Sequence, residues 1–74
     1  MWVLTKNRKI LINLNALTDV YLTERGEDAE VAIDLPCGET IIIASGKAEE
    51  KEASKVLEQI CSALERGDAL CRLG

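Results

Sequence analysis

The sequence contains no histidine and no phenylalanine, and its only aromatic residues are one tryptophan and one tyrosine. Histidine is the usual general base near neutral pH, so its absence argues against an enzyme. Two aromatic side chains are too few for the stacking platforms of proteins that bind single-stranded nucleic acid. The net charge of −4 also opposes broad contact with a phosphate backbone. We therefore expect neither catalytic activity nor nucleic-acid binding.

Cysteine is scarce and scattered, occurring at Cys37, Cys61 and Cys71 with no Cys-x-x-Cys pair. Without histidine this set does not indicate zinc, and its odd number does not indicate a disulfide framework. No segment resembles a signal peptide, and no apolar run approaches the roughly 20 residues of a membrane span. We expect a cytoplasmic protein with reduced thiols and without metal, cofactor or membrane span. Cys37 is the candidate for a reactive thiol, because it is expected at an exposed hairpin tip, whereas Cys61 is expected in the core.

The strongest periodic signal lies in residues 48–66. Glutamates near its start and Arg66 near its end complement the helix dipole, and Gly67 suits a helix C-cap. The sequence therefore predicts an amphipathic helix over about 48–66. Its apolar stripe consists of Ala53, Val56, Leu57, Ile60, Cys61 and Leu64. The strand-rich segment that precedes the helix is the only candidate to cover this stripe.

Five segments before the helix have the alternation or turn boundaries of strands. They span about residues 2–5, 9–14, 19–24, 29–35 and 39–44. The loop Pro36-Cys37-Gly38 suits a hairpin that sets Ile33 opposite Ile41 and Val31 opposite Ile43. The tail 68–74 has little pattern, and either packs back or frays. The expected fold is α+β, a single domain over 1–74. It has an antiparallel meander of four to five strands with one C-terminal amphipathic helix on one face.

This layout supports one resemblance to known proteins. The run Lys9-Ile10-Leu11-Ile12-Asn13-Leu14, the strand pairs after it and the pattern Ala53-x-x-Val56-Leu57-x-x-Ile60 resemble a group of small uncharacterised proteins. They come from Gram-positive bacteria and their phages. Members commonly start the helix after a threonine or serine, where this chain has Ala48-Glu49. The group has no assigned activity, so the resemblance implies the fold alone.

The strands carry more apolar positions than one helix can bury. The predicted register aligns several of them on the outer sheet face, namely Leu11, Tyr21, Ala32 and Ile42. Monomers rarely leave such a patch open, although sheet twist and the tail, through Leu70 and Leu73, would also cover it. Our first hypothesis is a non-enzymatic protein-interaction module that associates with itself as a homo-oligomer, or otherwise binds another protein. The contact would be made by the outer sheet face or an edge strand.

A second hypothesis uses the basic cluster in the first turn, Lys6, Arg8 and Lys9. A strand meander capped by a C-terminal helix has the layout of pleckstrin-homology-like domains. The cluster would then bind a lipid headgroup or a peptide. Likeness of layout does not establish function, and the chain is short for two orthogonal sheets.

Overall fold

The computed structural model describes residues 1–15 and 18–74. Its elements are β1 (Trp2–Leu4), β2 (Leu11–Asn13), β3 (Asp19–Arg25), β4 (Asp28–Asp34), β5 (Thr40–Lys47), α1 (Glu52–Arg66) and β6 (Leu70–Arg72). The strands form two three-stranded sheets: sheet A, ordered β2-β1-β6, and sheet B, ordered β3-β4-β5. The fold is α+β as predicted. The strands, however, divide between two sheets instead of forming one meander.

Sheet B is the part of the molecule that the sequence pattern describes best. Its three strands are consecutive and antiparallel, and Ile33 lies opposite Ile41 as predicted. The expected pairing of Val31 with Ile43 is wrong, because Val31 lies opposite Ala44 and Ala32 opposite Ile42. One extra residue on β5 therefore forms a bulge, which shifts the register of everything that follows it.

Sheet A depends on the tail of the chain. β1 pairs antiparallel with β2 and parallel with β6, with Val3 between Ile12 and Cys71 in one row. Parallel neighbours need a long crossover connection. Here the chain between the two strands includes α1. The tail is thus ordered, and Leu73 beyond β6 is only 1% exposed. Three residues are too few for a periodic signal, which is why the sequence does not reveal β6.

The core lies where α1 meets the two sheets. Fully buried side chains come from both sheets and the helix, and the largest are Val3, Val31, Ile33, Ile60 and Leu73. The helix starts one turn later than predicted, at Glu52. Before it come a 3₁₀ turn (Ala48–Glu50) and Lys51 at φ 59°. Among residues 1–15 and 18–74, no side chain caps this end, which fits the presence of lysine instead of serine, threonine, aspartate or asparagine at the N-cap position, Lys51. None of the helices in residues 1–15 and 18–74 is long and apolar enough to cross a bilayer.

Candidate functional site

The apolar stripe of α1 is wider than the area the sheets cover. The helix buries Ala53, Val56, Ile60 and Ala63, spaced three and four residues apart. Cys61, expected in the core, is exposed. Leu64 is 54% exposed, and Leu57 is half-buried. These three residues, four and three apart, form a second apolar line that is only partly covered. We call Leu57, Cys61 and Leu64 the flank line.

An open groove of about 480 Å³ runs between the flank line and the start of β3. Leu14 and Val20 line it from the strand side, and Asp19 lies at the same wall. The helix side is formed by the flank line and Ile60. The apolar side chains that the core leaves uncovered on α1 therefore face the groove beside β3.

The outer edge of β3 is the long free edge of the described structure. Four strands end a sheet, and two of them, β2 and β6, have only three residues. β5 has the first turn beside it, because Thr5, Lys6 and Ile10 share a pocket with Ile42 and Ile43. β3 has seven residues, and in residues 1–15 and 18–74 its one sheet neighbour is β4. A long, unprotected edge is a template for another strand.

The hairpin at Gly26-Glu27 determines which backbone N–H and C=O groups of β3 point outward, away from β4. It is a two-residue loop closed by Arg25 and Asp28, with Gly26 at φ 62°. Closing pairs of such loops are hydrogen-bonded, and bonded and non-bonded pairs then alternate along the ladder. Val20, Leu22 and Glu24 consequently direct their N–H and C=O groups away from β4.

The outer face of sheet B contains three of the four residues expected there. Tyr21, Ala32 and Ile42 lie opposite one another across the three strands, as the sequence suggested. Ala32 is only 1% exposed, so it adds little contact surface. Leu11 lies on sheet A instead. The four residues therefore do not form one patch, because β2 belongs to the other sheet.

The Tyr21 side chain makes a polar contact on the outer face of sheet B. The Tyr21 hydroxyl donates a hydrogen bond to Asp34 Oδ1 at 3.0 Å, and Thr40 Oγ1 donates to the same oxygen at 2.7 Å. The hydrogen bond to the Asp34 carboxylate is the main reason that the Tyr21 pKa is raised above 10.0. This face is partly polar, which makes it less suited to apolar docking than the groove.

The three basic residues of the first turn do not converge on one site. The Lys6 ammonium lies 4.0 Å from the Glu52 carboxylate, at the start of α1. Arg8, in a left-handed conformation at φ 63°, lines a different surface together with Arg72 of β6. Lys9 is exposed. Sequence separation alone cannot reveal that the turn directs its cations to different sides or that Arg72 joins one of them.

The cysteines divide into two exposed thiols and one buried thiol. Cys37 is exposed, as expected of a hairpin tip, and Cys61 is exposed on the flank line. Burial raises the pKa of the Cys71 thiol in sheet A. Among the residues that the structure describes, no three cysteine, aspartate or glutamate side chains are placed to hold a metal ion.

Comparisons with known proteins gave no family model, no curated protein and no solved structure that matches the chain.

Proposed function

We propose that the chain is a non-enzymatic protein-interaction module that forms a homodimer by pairing its β3 edge with β3 of a second copy. The observation that carries this proposal is the seven-residue free edge of β3 running beside the apolar groove. Pairing would join two copies of sheet B into one six-stranded antiparallel sheet. It would also remove an edge that otherwise favours uncontrolled association.

The sequence of β3 is complementary to itself in one register. When Leu22 lies on the two-fold axis, all seven residues overlap, and Asp19 of each copy lies opposite Arg25 of the other. Side chains keep their faces in this register, because residues opposite each other across an antiparallel pair share a face. Opposite charges at both ends of the pairing favour this register over one shifted by two residues.

In this register the outward-pointing N–H and C=O groups of one β3 also lie opposite those of the other. Leu22 pairs with Leu22 of the second copy, and Val20 pairs with Glu24, giving about six hydrogen bonds between protomers. Each contributes roughly 0.5–1.5 kcal/mol net, because it replaces hydrogen bonds to water. The backbone hydrogen bonds set the register of the two strands. Much of the free energy of association must come from buried apolar surface.

The flank line provides that apolar surface. Strands lie about 4.8 Å apart, so the two copies of β4 would be about 14 Å apart across the dimer. Helix α1 contacts all three strands of sheet B, so each helix lies over its own sheet. Close-packed helices are separated by about 8–10 Å. The two helices would therefore flank a channel wide enough for Leu57, Cys61 and Leu64 from both copies.

The alternative function, a pleckstrin-homology-like site for a lipid headgroup or peptide at Lys6, Arg8 and Lys9, has less support. The fold has two sheets and a helix, but Lys6 pairs with Glu52 and lines a different surface from Arg8, so the cations of the predicted cluster do not converge. A headgroup pocket needs cations that converge on one anion.

The dimer is tested by molar mass measured with light scattering over a range of concentrations. We expect the mass to rise from 8.1 kDa toward twice that value as concentration increases. Glu24→Pro removes an N–H that points away from β4, so it should weaken the dimer while the monomer stays folded. Glu24→Ala is the matched control, because it removes the same side chain and keeps the N–H.

Two results would count against the proposal. One is a mass of 8.1 kDa at every concentration up to the millimolar range. The other is a dimer that both variants weaken equally, since the backbone N–H would then have no part in it. Far-UV circular dichroism of both variants establishes that the fold is retained.

A further inference from the structure

Charge is divided unequally between the two sheets. Residues 1–15 and 69–74, which supply sheet A and its first turn, contain Lys6, Arg8, Lys9 and Arg72 but no aspartate or glutamate. Residues 16–68 hold the other five of the nine basic residues and all thirteen acidic ones, a balance of 5 − 13 = −8. In a chain of net charge −4, the segments that form sheet A and its first turn thus contain basic residues as their only charged side chains.

The outer face of sheet A combines this charge with exposed apolar side chains. The register sets Trp2 between Asn13 and Leu70, and Leu4 between Leu11 and Arg72. Trp2 is 45% exposed and Leu11 is 55% exposed, while the opposite face holds the buried row of sheet A.

Two arginines border the apolar centre of that face. Arg8 and Arg72 line one shallow surface together with Leu4, Leu11 and Leu70. Of the residues the structure describes, no carboxylate comes within 4.0 Å of either guanidinium, whereas Lys6 on the other side of the turn is paired with Glu52. The charges on this face are therefore available to a partner.

From these observations we propose that the outer face of sheet A is a docking surface for an anionic phospholipid bilayer, a role independent of the β3 dimer. Tryptophan and leucine would enter the interfacial region, and the arginines would contact lipid phosphates. An apolar centre with a basic border and no carboxylate is the arrangement expected for such a surface. A soluble anion would use only the arginines and leave Trp2 and Leu11 in water.

The negative charge of the rest of the molecule does not prevent this contact. The molecule measures 32 × 27 × 22 Å along its principal axes. At physiological ionic strength the Debye length is about 8 Å, so carboxylates on the far side are screened from a membrane touching sheet A. The basic face would also orient the approaching molecule.

Trp2 is the only tryptophan in the chain, so its fluorescence reports on this face alone. The probes are vesicles of phosphatidylcholine containing phosphatidylserine, vesicles of phosphatidylcholine alone, and inorganic phosphate. We expect a blue shift of the emission and co-sedimentation only with the anionic vesicles, and loss of both at high salt. No response to anionic vesicles, or an equal response to neutral vesicles, overturns the proposal. A blue shift with phosphate alone overturns it as well, since it would mark a soluble-anion site.

Charge reversal at matched positions locates the surface. Arg72→Glu should lower the partition coefficient about tenfold, since each basic residue near an anionic membrane contributes on the order of a fivefold preference and reversal adds repulsion. Lys47→Glu makes the same charge change on sheet B, where the Lys47 ammonium lies 3.8 Å from the carboxylates of Glu27 and Asp28, and should alter binding by less than about twofold. Leu11→Ser should reduce both binding and the blue shift. Equal effects of the two charge reversals would show that only net charge matters, and the proposal would fail.

Discussion

Reversing the charge of Asp19 should weaken the proposed dimer without weakening the monomer. Within one copy Asp19 lies opposite Asp34, so Asp19→Arg replaces a like-charged cross-strand pair with an opposite-charged pair. Across the dimer the same change sets arginine opposite Arg25 of the second copy, at both ends of the pairing. One substitution therefore has opposite effects on folding and on association.

The size of the effect follows from what exposed ion pairs contribute. Each attractive pair is worth about 0.2–1 kcal/mol, and a repulsive pair costs a similar amount. Two such changes per dimer give about 0.8–4 kcal/mol, which is a roughly 4- to 900-fold higher Kd. The monomer should melt at the same temperature or slightly higher, because the Asp19–Asp34 repulsion is removed.

Sedimentation equilibrium gives the dimer Kd, and thermal unfolding at a concentration well below that Kd gives monomer stability. Adding Arg25→Glu to Asp19→Arg restores opposite charges across the axis and should return the Kd to within about threefold of its original value. Arg25 also lies 3.6 Å from Glu30, whose side chain is only 15% exposed, so the same thermal unfolding measurement is made on the double variant to show that its monomer is folded. An unchanged Kd for Asp19→Arg alone, or no recovery in the double variant, would refute the register.

Three further predictions concern thiol accessibility, the tail and Tyr21. Labelling of Cys61 by a maleimide should slow as protein concentration rises into the dimer range, while labelling of Cys37 in the same sample should not. Leu73→Ala should lower the free energy of unfolding by about 2–5 kcal/mol, because Leu73 is fully buried beyond β6; chemical denaturation measures this. In an absorbance titration the sole tyrosine should ionise above pH 10.0. Because its pKa is raised in the folded state, the protonated phenol stabilises the fold below pH 10, and this contribution is lost as the phenol deprotonates. Asp34→Asn should move the titration midpoint back down.

Sequence patterning describes sheet B well because its strands are long and consecutive. Alternation over seven residues identifies β4, and the loop at Pro36-Cys37-Gly38 fixes the pairing of Ile33 with Ile41. The bulge that shifts Val31 onto Ala44 has no signal of its own. One inserted residue leaves the alternation on either side intact.

The apolar period of residues 48–66 predicts the helix but predicts too wide a buried side. Leu57, Cys61 and Leu64 are as apolar as the buried positions, so periodicity could not separate the side facing the sheets from the flank line. The predicted stripe omits Ala63, which is buried, because a small side chain adds little to an apolar pattern. The same breadth was nevertheless the one sequence signal for the groove beside β3.

Local sequence patterns do not predict sheet A. β1, β2 and β6 have three residues each, and β6 pairs with a strand almost the whole chain length away. Nothing local to Arg72 places it beside Arg8 or makes Leu11 a neighbour of Leu4. The face proposed to meet a bilayer therefore became visible only with the topology.

The most direct test of the central claim is an isotope-filtered nuclear Overhauser experiment on a dimer mixed from labelled and unlabelled chains. The register centred on Leu22 sets Tyr21 opposite Thr23 of the second copy as a non-hydrogen-bonded pair, with Cα atoms about 4.5 Å apart. It predicts a strong contact between the Hα protons of Tyr21 and Thr23 across the interface. An intermolecular contact between Tyr21 and Tyr21, or contacts only from other strands, would contradict it.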